Sequence, residues 1–428
     1  MAESLPTVRF LLAGLTAAFG LTGCALDEEN FSQYPGFAQY LAAHPLDKAP
    51  PDARERSWLE AFRPQFYRSG GDDGPIAFYD DYVSAGRLYD GQGRLIADDV
   101  DRDLLNRHRN DPGAVLDHNG KAPRQPGTAR VPARVSRDTL SLPGLEEPLE
   151  AAFLSYHLVF PHSGIATGIP AWQRALLNLV GDADNWHALD HYAAVVLVMV
   201  PAKGVSLDNA GPRDLIPLAA VMQQHNYMRS YLLVPEGQDS HPGQMALDGQ
   251  GRVAVDVAQA SHALFPHRPG RHRHRAVRFL RPERARYLIS GEDAPFFAGH
   301  DITHGQHPVD YQLQFLQQDD AFYSFQGWLG ERRRLPGRDA PPGAFYNTLP
   351  PLQPERVQLP VFFWHEEAHG YPEDLAQLDL SGWRPPGPEA LAPFWQRLVK
   401  ALPCRDDWAL PCPEAAAREW YGTPSQDP

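Results

Sequence analysis

The stretch YAAVVLVMVP, residues 192–201, decides the fold class of this 428-residue chain. It is nearly continuous in apolar residues and rich in β-branched valine, a pattern typical of a strand that is buried on both faces. A second stretch, AFLSYHLVFPH at residues 152–162, predicts another long strand. We therefore expect a sheet in which residues 192–201 lie near the centre.

Shorter strands and tight turns are predicted around these two stretches. MRSYLLVPE at 228–236 and VAVDVAQAS at 253–261 continue the strand pattern. The segments YDGQGRLIADDV (89–100) and LDGQGRVAVDV (247–257) place Asp-Gly and Gly-x-Gly between apolar residues, which favours hairpins. Residues 101–150 are polar and rich in proline, and we expect them to be loop-like.

Composition limits the helical content. The chain has 42 prolines, about twice the usual share, scattered between short apolar runs, so few long helices are expected. Helical patterns at 389–402 and 413–421 predict a helical decoration at the C-terminal end. The predicted class is mainly β, a β-sandwich-like core with long loops and a small helical C-terminal extension.

The N-terminus has the pattern of an export signal. Arg9 precedes an apolar run at 10–19 that is too short to span a bilayer. The next residues, LTGC at 21–24, resemble the bacterial lipobox, which implies lipidation of Cys24 and a membrane partner through the lipid anchor. Because Ala25 and not Asp follows, the resemblance implies the outer membrane of a bacterial cell envelope, facing the periplasm. A secretory signal without lipid is the alternative.

The predicted organisation has four parts. These are a lipoprotein signal peptide (1–23), a tether and lead-in segment (24–57), a β-sandwich-like domain (58–330) and a C-terminal extension with short helices (331–428).

Cys404 and Cys412 lie close together in PCRDDWALPC. An exported protein is in a compartment that permits disulfides, so we expect these two residues to pair. Two free buried thiols are the alternative.

A net charge of −14 disfavours nucleic acid and anionic membrane as partners of the whole surface. The one strongly positive segment, HRPGRHRHRAVRFLRPERAR at 267–286, could bind phosphates or carboxylates of a glycan or lipid head group. A solvated loop that balances nearby acids is the alternative interpretation, and we expect no nucleic-acid binding.

The segment HEEAH fits the H-E-x-x-H pattern of zinc hydrolases through His365, Glu366 and His369. Such a site needs both histidines on one helical face. Here VFFW precedes the motif and favours a strand, and Gly370 follows it at once. A solvated strand-to-loop segment is therefore the favoured interpretation, and a metal site is the secondary one.

Histidines and carboxylates also occur where central strands run into loops, a common place for sites in sheet proteins. Together they predict a metal site for a hard or borderline divalent ion. The candidate ligands are His187, Asp190, His262, Asp301 and His304.

The order of these motifs carries a family resemblance. A strand ending in FPH, then His-x-x-Asp before a valine-rich strand, then Ala-Ser-His-Ala and Asp-Ile-Thr, resembles the family of vacuolar protein sorting-associated protein sixty-two. It is similar, more remotely, to the necrosis- and ethylene-inducing toxins of plant pathogens. FRPQFYRSG and GPIAFYDDYV resemble the start of the first family, and the likeness covers about residues 58–310.

The resemblance implies a β-sandwich with a polar, metal-capable pocket at one end. In the toxins a His-x-x-Asp-Trp-Glu motif helps to hold a divalent cation that contacts glycolipid head groups. His187 and Asp190 match its first and fourth positions, whereas His191 and Tyr192 replace the Trp-Glu pair. The missing carboxylate favours metals that accept imidazole. His262 has a structural alternative, packing below the strand end.

The predicted function is that of a cell-envelope lipoprotein whose strand-end pocket binds a glycan or lipid head group. A metal-dependent hydrolase is one alternative. A structural or assembly lipoprotein without catalysis is the other.

Overall fold

The computed structural model describes residues 46–118, 128–140, 149–164, 187–202, 204–224, 227–234, 244–248, 250–268, 302–303, 305–332 and 340–344, together with Ala171, Ala175 and Asn178. Strands dominate these ranges. In chain order they are β1 (Gln65–Arg68), β2 (Arg87–Tyr89), β3 (Leu95–Ala97), β4 (Val115–Asp117), β5 (Arg130–Leu140), β6 (Leu149–Ser163), β7 (His187–Pro201), β8 (Leu215–Gln224), β9 (Tyr227–Val234), β10 (Gln244–Ala246), β11 (Ala254–Val257), β12 (Leu264–Pro266), β13 (His307–Pro308) and β14 (Gln312–Phe315).

Helical elements in the same ranges are short. They are α1 (Ala53–Ala61), a π-helical turn (Phe78–Tyr82), 3₁₀ turns (Val83–Ala85 and Pro212–Asp214), α2 (Arg102–Arg107) and α3 (Ala321–Ser324). None of the helices in the described part of the chain is long and apolar enough to cross a membrane. The helices predicted at 389–402 and 413–421 lie outside the described residues.

The main sheet contains seven of the described strands, in the order β10-β9-β8-β7-β6-β5-β14. Neighbouring strands from β9 to β5 are antiparallel, whereas the edge strands β10 and β14 run parallel to β9 and β5. β7 is the middle strand, and residues 194–200 are all buried. The prediction that the valine-rich stretch is a central strand is confirmed.

A second sheet covers one face of the main sheet. Among the described residues it has four strands, in the order β12-β11-β1-β13, and β12 packs against β7 and β8. Phe66, Val255, Val257 and Leu264 are at most 1% exposed and belong to one core with the main sheet. Burying a side chain such as Phe66 stabilises the fold by about 1.5–3 kcal/mol. The predicted mainly-β, sandwich-like core is confirmed.

Helix α1 closes the side of the sandwich. Asp52 and Glu55 form a capping box, because each side chain bonds the other residue's backbone N–H. The helix buries Trp58, whose indole N–H donates to the carbonyl of Ala210 at 2.9 Å. The helix is thereby fixed against the loop before β8.

A buried ionic group joins the π-helical turn to α2 and α3. The Asp320 carboxylate is fully buried and accepts hydrogen bonds from the Tyr79 hydroxyl and from Arg102 Nε, the latter at 2.9 Å. Burial and the neighbouring Asp320 raise the pKa of Tyr79 well above its usual value. The phenol therefore stays protonated and keeps donating, which holds the three elements together.

Both predicted Asp-Gly-Gln-Gly-Arg hairpins are confirmed. In each, one aspartate oxygen accepts from two backbone N–H groups of the turn and the other pairs with the arginine, Arg94 Nε on Asp90 at 2.7 Å and Arg252 Nε on Asp248 at 3.1 Å. The first turn joins β2 to β3 in a small sheet ordered β3-β2-β4. Gly251, in the second turn, has φ +77°, which an L side chain adopts only with strain.

The expectation that residues 101–150 are loop-like is wrong. This region contains α2, β4, the eleven-residue strand β5 and the first residues of β6. β5 lies next to the edge strand β14, and its exposed Arg130 and Arg137 flank a stretch that buries Val131 and Ala133. Its strand conformation depends on pairing with β6 along Ala133–Leu140, a tertiary contact that local polarity does not reveal.

Candidate functional site

Two of the predicted motifs meet where β6 ends and β7 begins. Antiparallel pairing sets Ser163 opposite His187 and His162 opposite Ala188. The FPH motif at the end of β6 therefore adjoins the His-x-x-Asp motif at the start of β7.

The hairpin loop between β11 and β12 joins this strand end. Gly164, directly after β6, donates its backbone N–H to the carbonyl of Ala260 at 2.7 Å. Gln259 in the same loop donates to the carbonyl of Ile302 at 2.9 Å. The Ser-His-Ala loop and the described residues Ile302 and Thr303 thus reach the same end of the sandwich as the first two motifs.

The loop after β1 adds two carboxylates. Asp72 accepts the backbone N–H of Ala260, at 3.2 Å from Oδ2, and Asp73 Oδ2 lies 2.9 Å from His162 Nε2. The Arg68 guanidinium donates to the Asp72 carbonyl at 2.9 Å, which holds the loop against β1. We call Arg68, Asp72, Asp73, His162, Ser163, Ser261 and His262, with the start of β7, the strand-end cluster.

Positive groups surround Asp73. The hydrogen bond from His162 lowers the pKa of the Asp73 carboxyl, burial partly opposes this effect, and His162, His262 and Arg68 add to the lowering. The side chains remain accessible, with Asp73 47% and His162 28% exposed. An accessible carboxylate beside an imidazole can bind both the donors and the acceptors of a polar ligand.

His262 lies at the base of the cluster. Its ring is 1% exposed and stacks on Phe160, with ring centroids 3.7 Å apart and planes 3° from parallel. Its backbone has φ 56°, and Ala260 before it has φ 66°, conformations that cost about 1–3 kcal/mol each for non-glycine residues. This packing agrees with the structural alternative for His262, while its role as a metal ligand stays a prediction.

Strain also occurs inside the His-x-x-Asp motif. Leu189 has φ 49°, and the pairing of β6 with β7 shifts register between Leu158 and Phe160, where Phe160 faces Asp190. Irregularities of this kind re-aim side chains and are common beside functional sites.

Several predicted ligands cannot be placed by side chain. His187 and Asp190 lie in β7, but their side chains are outside the described part of the structure. The remaining predicted positions lie outside the described residues altogether: Asp301, His304, His365, Glu366, His369, Cys24, Cys404 and Cys412.

No protein-family model, no curated protein and no solved structure matches this chain.

The described donors do not make a metal site by themselves. Within the described ranges, no three His, Cys, Asp or Glu side chains are grouped closely enough to hold a metal ion. Asp73 and His162 supply one carboxylate and one imidazole, a mixture that suits borderline ions such as Zn²⁺.

Sequence reasoning missed the roles of Asp73 and His162. Both lie in short motifs, SGGDDGP and FPH, but the sequence pattern assigned neither side chain to the site. The usable signal is a pair of carboxylates directly after two glycines at the end of a strand, because such turns expose polar side chains at the sheet edge.

Proposed function

We propose that this protein is a cell-envelope lipoprotein, anchored through Cys24, whose strand-end cluster binds a glycan or lipid head group with the help of a divalent metal ion. The observation that carries the proposal is the meeting of four sequence-distant segments at one end of the sandwich. These segments hold the motifs that resemble the vacuolar protein sorting-associated protein sixty-two family.

The charge arrangement supports a polar ligand. Asp73 and His162 are accessible at the strand end, and Arg68 fixes the loop that carries Asp73. Hydrogen bonds to charged groups contribute about 1.5–3 kcal/mol each, so two such contacts are enough for selective binding of a hydroxyl-rich head group.

The metal part of the proposal rests on donor chemistry. His187, Asp190, Asp301 and His304 belong by sequence to segments that reach the strand end. Together with Asp73 or His162 they would offer mixed imidazole and carboxylate ligands. A bound divalent ion would supply a Lewis-acidic centre for head-group oxygens.

The anchor is tested by changing Cys24. The Cys24→Ala protein should leave the membrane fraction, because an acylated cysteine is the proposed attachment. Full-length Cys24→Ala protein that stays with membranes after a carbonate wash would contradict the anchor.

The binding site is tested with unlipidated Cys24→Ala protein and phosphatidylcholine vesicles, with or without a glycolipid. We expect co-sedimentation only with the glycolipid vesicles. Asp73→Asn or His162→Ala in this background should weaken binding about tenfold.

Asp99→Asn and His108→Ala are matched controls, because Asp99 lies after β3 and His108 directly after α2, both outside the cluster. Equal loss of binding in the controls, or unchanged binding in both cluster variants, would overturn the proposed site.

A further inference from the structure

A second polar group lies on the outer face of the four-stranded sheet. Asp256 in β11 and His267 directly after β12 are joined by a bond of 2.6 Å between Asp256 Oδ1 and His267 Nδ1. Alternation along the strands explains the pairing: Val255 and Val257 face the core, so Asp256 faces the other side. Neither residue belongs to the strand-end cluster.

Neighbouring residues hold the His267 ring in one orientation. The Tyr67 ring stacks on His267 with centroids 3.9 Å apart and planes 12° from parallel. Gly305 passes over the carboxylate, where a Cβ would lie 1.8 Å from Asp256 Oδ1. The aspartate side chain is only 6% exposed, whereas that of His267 is 14% exposed.

This geometry selects one tautomer. A carboxylate accepts from Nδ1–H, so the neutral ring carries its lone pair on Nε2. Within the described chain, the bond to Asp256 is the only hydrogen bond of the ring. Nε2 is therefore the ring atom that can accept a proton.

We infer that Asp256 and His267 form the general base of a hydrolytic site for carboxylic esters. His267 Nε2 takes a proton from a water molecule while the water oxygen bonds to the ester carbonyl carbon. The bond from that carbon to the alkoxy oxygen then breaks, and the alkoxide takes the proton from Nε2. Water and ester give a carboxylic acid and an alcohol, and the imidazole is regenerated.

Carboxylic esters are the proposed substrates because a single general base gives only a limited rate enhancement. A positioned base contributes roughly 10²–10⁴-fold to a rate, which is adequate for esters with good leaving groups and too little for amides or phosphodiesters. Asp256 is a positioning residue, because it acts through His267.

The test is hydrolysis of p-nitrophenyl acetate by the purified full chain with EDTA present, which separates this site from any metal-dependent one. We expect turnover above that of free imidazole at equal concentration. His267→Ala should reduce it about a hundredfold. His307→Ala should not change it, because His307 is exposed and lies on β13, at the opposite edge of the sheet from β12. His267→Gln serves if the alanine variant does not fold.

Asp256→Asn should lower the rate and displace the pH profile, because the amide no longer selects the tautomer. Turnover no faster than free imidazole would overturn the inference. So would a His267→Ala or His267→Gln rate equal to that of the unchanged chain, or an Asp256→Asn profile identical to it.

Discussion

At the scale of single residues, burial sets how His118 responds to pH. This side chain follows β4, lies against the Tyr82 ring at 4.2 Å between centroids, and is 7% exposed. Burial lowers the pKa of His118 from 6.5 to about 4, against a smaller opposite effect of Asp117. The ring is therefore neutral in the folded protein at pH 7.

The lowered pKa of His118 predicts that the folded protein loses stability in acid. Because the folded-state pKa is depressed, the unfolded chain takes up the proton first as pH falls. The free energy of unfolding should fall between about pH 6.5 and pH 4, by about 3 kcal/mol from this residue. His118→Gln should reduce that loss in urea unfolding at the two pH values, whereas His307→Asn should not. An equal loss in His118→Gln would contradict the assignment.

Asp73 destabilises the fold in acid in the same direction as His118, although a hydrogen bond from His162, and not burial, lowers its pKa. Its folded-state pKa lies below the usual 3.8, so its stabilisation is present above that value and is lost as pH falls through the folded pKa. The side chain is half-exposed, so the contribution is below about 1 kcal/mol. Urea unfolding at pH 7 should show Asp73→Asn close to the unchanged chain and to Asp99→Asn. A loss of several kcal/mol would mean that Asp73 is mainly structural.

At the scale of elements, the sequence predicts a strand correctly where the local apolar pattern is strong. It does not predict a strand whose conformation depends on pairing with distant strands. The apolar run of β7 was sufficient to predict the strand, because burial on both faces requires a continuous apolar sequence. The residues around Asp90 and Asp248 were sufficient to predict the hairpins, because positive φ in these turns requires glycine. β5 has neither signature, since it depends on its partners β6, where Tyr156 faces Ala133, and β14, which is distant in sequence. Its arginine-rich sequence therefore resembles a loop.

The segment around Gly327 packs closely against the backbone of Ala114. Gly327 precedes the bridge between Trp328 and Val115, and a Cβ there would lie 2.1 Å from the Ala114 carbonyl oxygen. Gly327→Ala should lower the free energy of unfolding by about 1–3 kcal/mol, because backbone must shift. Gly74→Ala is the control, since no atom lies within 4 Å of its Cβ position. Equal unfolding midpoints for the two variants would contradict the close contact.

At the scale of the whole molecule, chain order and spatial order differ most at the strand-end cluster. Asp73, His162 and His262 are far apart in sequence and come together because β6, the β11–β12 loop and the loop after β1 end on one side. The motif order predicted a shared site, whereas the partner of His162 required the sheet pairing. Local sequence patterns do not predict that the loop after β1 contacts the end of β6.

The central proposal is that the metal ion of this protein binds at the strand-end cluster and not at HEEAH. Elemental analysis of protein purified without added metal, followed by the same analysis of variants, tests it most directly. We predict a divalent metal in the unchanged chain and in His365→Ala, and its loss in His187→Ala and in Asp190→Asn. Metal that is absent from the unchanged chain, or that is lost on His365→Ala and kept on His187→Ala, would contradict the account.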